Sequence, residues 1–166
     1  GLVTVGAISV QYSDFWYGLG TYSLSNGLMT SSNLQINGRG GFYQYGGVHS
    51  NASLALSQTA NFYRQQPGAT SYWYNVAGSY NLNGGIFTSD SVTSQGGVFA
   101  QTAGTCQIAT VQMAGGEYSL SGGQLTVSNI SLSSGANFTQ TGGTITQSGT
   151  LSLSDAGFTA GPGVQQ

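Results

Sequence analysis

The chain has 166 residues, long enough for one domain with a real core, and nothing in its composition divides it in two. Arg39 and Arg64 are its only cations, against Asp14, Asp90, Glu117 and Asp155, for a net charge of -2. Two arginines cannot build a phosphate-neutralising patch, which argues against nucleic acid as a partner, and so small a charge offers little repulsion between copies.

Glycine (28 residues), serine (23) and threonine (17) dominate. Such a composition fits a linker, but 39% of the residues are hydrophobic and they recur in register, which favours an ordered fold. Cys106 is the single cysteine, so no disulfide forms within the chain. No run approaches the roughly 20 apolar residues of a membrane-spanning helix. The chain begins at Gly1 with no basic segment ahead of an apolar run, and reads as a processed or truncated product.

In chain order, the first predicted element is a strand from Leu2 to Val10, in which Val3 and Val5 alternate. An aromatic segment from Tyr12 to Gly20 follows, carrying Phe15, Trp16 and Tyr17. Residues 1–21 are therefore read as an N-terminal strand with a capping or docking segment, and residues 22–166 as one repeat array.

The array is built on an aromatic residue followed five positions later by a glycine. Tyr22, Phe42, Phe62, Tyr80, Phe99, Tyr118 and Phe138 open units of 20, 20, 18, 19, 19, 20 and 20 residues, and Phe158 opens another. The turn glycines are Gly27, Gly47, Gly85, Gly104, Gly123 and Gly143; the third unit departs, with Pro67 before Gly68. Apolar pairs one residue apart recur further along each unit, as in Leu34 and Ile36, Leu54 and Leu56, and Leu151 and Leu153. Alternation of this kind is a strand signature, and the frequent Gly-Gly and Asn-Gly steps exclude long helices.

About three short strands per unit are expected. A unit of this length cannot bury its apolar side alone, whereas stacked units can. The predicted fold is all-β, a parallel β-solenoid of seven to eight rungs with about 19–20 residues each. Seven residues after each aromatic, Met29, His49, Ala69, Phe87, Cys106, Leu125 and Ile145 form an inward column, which makes His49 and Cys106 core residues rather than metal ligands.

Tyr118-Ser-Leu-Ser-Gly-Gly-Gln-Leu-Thr, Phe138-Thr-Gln-Thr-Gly-Gly-Thr-Ile-Thr and Tyr80-Asn-Leu-Asn-Gly-Gly-Ile-Phe resemble the autotransporter-associated β-strand repeats of secreted bacterial surface proteins. The same repeats occur in proteins with a PEP-CTERM sorting tail. The resemblance is close over residues 80–160 and loose over 22–79. It implies an extracellular, rod-like bacterial protein of the cell surface and carries over no catalytic residue.

Enzymatic activity is not expected, and no cofactor or metal is implied. Asp90, Glu117 and Asp155 fall in different columns, two to three rungs apart, so no carboxylate pair forms. No G-x-S-x-G elbow precedes a helix. The sequons at Asn51, Asn129 and Asn137 are as many as ten asparagines in a Ser/Thr-rich chain give by chance. An outward Thr-x-Thr ladder, as an ice-binding face requires, has one instance in its column, Thr139 and Thr141.

Two surfaces remain. The ends read as part-rungs, and uncapped sheet edges pair. Leu2, Val3, Val5, Ile8, Val10, Phe15, Trp16 and Tyr17 at one end, and Phe158 and Val164 at the other, are the candidate subunit interface of a head-to-tail filament of identical copies. Aromatic residues are also concentrated early, 13 of the 19 lying before residue 75. Tyr43, Tyr45, Tyr63, Arg64, Tyr72 and Trp73 are the candidates for a lateral contact or for stacking on glycans, as in a monomeric adhesin.

Overall fold

The computed structural model describes residues 1–10, 20–64 and 72–161. Its strands, in chain order, are β1 (Leu2–Val10), β2 (Thr21–Leu24), β3 (Leu28–Asn37), β4 (Gly41–Gln44), β5 (Val48–Arg64), β6 (Tyr72–Ala77), β7 (Ser79–Leu82) and β8 (Ile86–Gln95). They continue as β9 (Val98–Gln101), β10 (Thr105–Ala114), β11 (Glu117–Leu120), β12 (Gln124–Ser133), β13 (Asn137–Gln140), β14 (Thr144–Gln147), β15 (Leu151–Ser154) and β16 (Gly157–Ala160).

These form a parallel β-solenoid of about six turns, with about 20 residues per turn. The long strands stack in the order β1-β3-β5-β8-β10-β12-β14, with β15 beside β14 on β12; the short strands stack as β2-β4-β7-β9-β11-β13-β16. Each sheet thus has seven levels.

The expected three strands per unit resolve into one short strand and one long, bent one. In β3, Met29 and Ser31 point inward, Ser32 and Asn33 both face outward, and Leu34 and Ile36 point inward again. Two consecutive outward residues break the period-2 alternation and turn the strand through a corner, so three faces enclose the core. The same break recurs at Asp90 and Ser91 in β8 and at Ala109 and Thr110 in β10.

The repeat glycine has a steric reason. Gly104 and Gly143 have φ near +77° and +70°, and a Cβ on either would fall 2.6–2.7 Å from the carbonyl oxygen of Gly85 or Gly123, the turn glycine one level below. The aromatic residue has a packing reason. Tyr22, Phe42, Tyr80, Phe99, Tyr118, Phe138 and Phe158 form one continuous stack with centroid spacings of 4.7–5.1 Å, matching the distance between hydrogen-bonded strands.

Phe62 does not belong to this stack, which corrects the expected third rung. Phe42 pairs directly with Tyr80, and His49 with Phe87. The residues between leave the solenoid: β5 runs on to Arg64 and β6 returns antiparallel to it, with Phe62 opposite Tyr74, and the chain re-enters where Gly78 N donates to Ser57 O at 2.9 Å. The excursion is one repeat long and carries an aromatic at the repeat spacing, so it imitates a rung. Ala69, expected in the inward column, lies outside the described residues.

Candidate functional site

Some columns that are buried in the inner levels open at the two end levels, while Val10 and Ile145 stay buried there. Leu151 and Leu153 of β15 are 43% and 47% exposed, whereas Ile130 and Leu132, their partners one level below, are 1% exposed. At the other end Val3 is 42% exposed while its partner Met29 is fully buried; Leu2, 70% exposed, belongs to an outward column whose next member, Leu28, is itself 41% exposed. Ile8 is half-buried, Val10 is buried, and Phe158 is half-buried against Phe138. Val5 keeps its place opposite Ser31. Phe15, Trp16, Tyr17 and Val164 lie outside the described residues.

The early aromatic residues divide into two groups. Tyr43 of β4 and Tyr45 just after it have rings nearly parallel at 10° with centroids 6.4 Å apart; Tyr45 is exposed and Tyr43 half-buried. Tyr63 and Arg64 belong to the β5–β6 hairpin instead, opposite Trp73 and Tyr72 respectively. They are therefore not in the outward column of Tyr43 that the sequence spacing assigned to Tyr63.

The core holds two polar chains that sequence reasoning did not find. In the first, Gln44 Nε2 donates to Ile86 O at 2.9 Å, and Tyr80 Oη donates to Gln44 Oε1 at 2.7 Å. Tyr80 has a single proton and it is committed, so His49 Nδ1, 2.9 Å from Tyr80 Oη, must be the protonated ring nitrogen. His49 Nε2 then accepts, and Ser31 Oγ stands 3.2 Å from it. Burial without an ionic partner lowers the His49 pKa to about 4 and keeps the ring neutral.

The second chain repeats the plan. Gln101 Nε2 donates to Gln124 O at 3.0 Å, Tyr118 Oη donates to Gln101 Oε1 at 3.1 Å, and Cys106 Sγ lies 3.6 Å from the phenol. Burial pushes the Cys106 thiol up to about 12, against a smaller lowering by its hydrogen bond to Tyr118. His49 and Cys106 thus occupy the core as expected, each beside a tyrosine hydroxyl.

Along the corner of the long sheet runs an open furrow of about 780 Å³, crossing six levels. One wall is a column of Thr4, Thr30, Ser50, Thr88 and Thr126, interrupted by Gln107. Among the described residues Asp90 is the one acid lining it. Among the described residues no three His, Cys, Asp or Glu side chains gather as a metal site would require, and no helix is long and apolar enough to cross a membrane.

No protein-family model, curated protein or solved structure matches the chain.

Proposed function

We propose that the protein is a structural, non-catalytic subunit of an extracellular filament or surface matrix, assembling head to tail by strand pairing between solenoid ends. One observation carries this reading: several core columns open at the end levels, with Leu151 and Leu153 nearly half exposed where their counterparts one level below are closed. Sheet edges with free backbone groups and apolar side chains pair with other strands. A contact between two different faces of identical subunits, repeated without closure, generates a filament. With only six charged side chains in the chain, little repulsion opposes it. The resemblance to repeats of secreted bacterial surface proteins supports the extracellular placement.

The test is electron microscopy of the purified chain at rising concentration beside the Leu153→Asp variant. Fibres that disappear in the variant are expected. Separate short rods of the unaltered chain at every concentration would overturn the filament.

A second reading has its own observation, the parallel pair of Tyr43 and Tyr45 rings beside the solenoid face. Aromatic rings stack on sugar faces, and a monomeric adhesin would use this pair together with Tyr63, Arg64, Tyr72 and Trp73 of the hairpin. Glycan retention that is lost on replacing Tyr43 and Tyr45 by alanine, with assembly unaffected, would favour it.

A further inference from the structure

The two ends of the rod are chemically the same columns cut at different levels. Val3 heads the column that ends in Ile145, Ile8 the column that ends in Leu151, and Val10 the column that ends in Leu153. Tyr22 and Phe158 are the first and last rings of the aromatic stack, both only half-buried, whereas Phe42 and Phe138 next to them are closed. Val3, Ile8 and Tyr22 at one end and Leu151, Leu153 and Phe158 at the other therefore stay partly open where an additional level of the same solenoid would cover them, while Val10 and Ile145 are already buried.

We infer that a second copy of this chain docks in continuous register: its β1 pairs in parallel with β14 and β15, and its β2 with β16, so that Val3, Ile8, Val10 and Tyr22 fall over Ile145, Leu151, Leu153 and Phe158. The inference rests on the filament reading and adds the geometry of the junction.

Two features select this register over its neighbours. A slip of one residue would turn every inward side chain to solvent. A slip of two preserves the alternation within each half of a long strand but carries the apolar pair across the corner, where two consecutive residues face outward, so the halves can no longer both point inward. The last level also carries three residues, Ser148 to Thr150, between its paired segments where β12 has only Ser128 and Asn129. Gly6 of the incoming strand falls opposite this wider corner. Its own fold makes no demand for glycine, since a Cβ there would meet nothing within 4 Å, and the missing side chain leaves room for the extra residue.

Thr4 and Thr146 are exposed members of one outward column and become neighbours across the junction. Adjacent strands lie about 4.8 Å apart, within the Cα separation a disulfide spans. The full chain carrying Thr4→Cys and Thr146→Cys is assembled, oxidised mildly and run without reductant, beside a chain carrying Thr4→Cys and Ser152→Cys. Cys106 is buried and stays in place in both. A reducible ladder rising in 17.0 kDa steps from the first chain, and none from the second, is the expected result. Fibres in the microscope without a ladder, or with equal ladders from both chains, overturn the register while leaving head-to-tail assembly standing. No fibres and no ladder overturn both.

Discussion

The phenolic oxygen of Tyr80 lies 2.7 Å from Oε1 of Gln44, one turn of the solenoid away, and Tyr118 makes the same contact with Gln101 at 3.1 Å. Both pairs follow from an alternation of unit types. Three units opening with phenylalanine have glutamine two residues on, Phe42 with Gln44, Phe99 with Gln101 and Phe138 with Gln140, whereas Phe62 and Phe158 have Arg64 and Ala160; the units opening with tyrosine have leucine there. Phe42 and Phe99 are each followed in the stack by a tyrosine, whose hydroxyl satisfies the glutamine below.

Gln140 breaks the pattern. The ring that follows it is Phe158, and Gln140 Oε1 is buried with no hydrogen-bond partner. Phe158→Tyr is expected to supply the missing donor and raise stability by about 1 kcal/mol, measured by urea denaturation. An unchanged or lower midpoint would show that the Phe158 position cannot bring a hydroxyl to this oxygen.

The converse change removes a satisfied donor. Tyr118→Phe leaves Gln101 Oε1 buried and unpaired, and should destabilise by about 1–3 kcal/mol. Tyr80→Phe should cost more, because it orphans both Gln44 Oε1 and the His49 Nδ1 proton. Equal losses from the two substitutions would mean that His49 is not hydrogen-bonded to Tyr80.

His49 makes the fold acid-sensitive. Its pKa is about 4 when folded and near 6.5 when unfolded, so the unfolded chain takes up a proton first as the pH falls. The stabilisation is complete above about pH 6.5 and is lost progressively down through pH 4, by about 3 kcal/mol in all. Denaturation midpoints at several pH values, with His49→Phe as the comparison, check this: the variant should lose much of the slope between pH 6.5 and 4.

The same ring has a defined tautomer. With the Tyr80 proton given to Gln44, nitrogen NMR should find the His49 proton on Nδ1 and none on Nε2. Ser31 then donates its one proton to Nε2 and cannot also donate to Asn51 Oδ1, 3.3 Å away. Asn51 Nδ2 has no partner as oriented, and turning the amide end for end would let it donate to Ser31 Oγ. A proton found on Nε2 would contradict the whole chain of donors.

The hairpin is expected to be dispensable for the solenoid. Ser57 and Ser79 are bridged in the adjacent level by only three residues, Gly38, Arg39 and Gly40, between Asn37 and Gly41. Replacing residues 58–78 by Gly-Arg-Gly should preserve the β circular-dichroism spectrum and the fibres while removing Tyr63, Arg64, Tyr72 and Trp73. Loss of fibres from a folded variant would place the hairpin in the assembly contact.

The period, the all-β class, the turn glycines and the burial of His49 and Cys106 were legible in the residues, because each is a local consequence of repeating one rung: a glycine forced by a carbonyl one level below, an aromatic forced by the ring beneath it. The excursion after Ser57 was not legible. Whether residues 58–77 pair in parallel with the next level or antiparallel with themselves depends on which strand lies alongside, and Phe62 satisfies the spacing either way; Pro67 was the visible departure. The Tyr80–Gln44 pair was equally hidden, since the two are 36 residues apart and meet only once the hairpin is taken out of the count. Local sterics and periodicity belong to the sequence; partners across the stack belong to the tertiary structure, because long-range strand pairing alone decides which level lies on which.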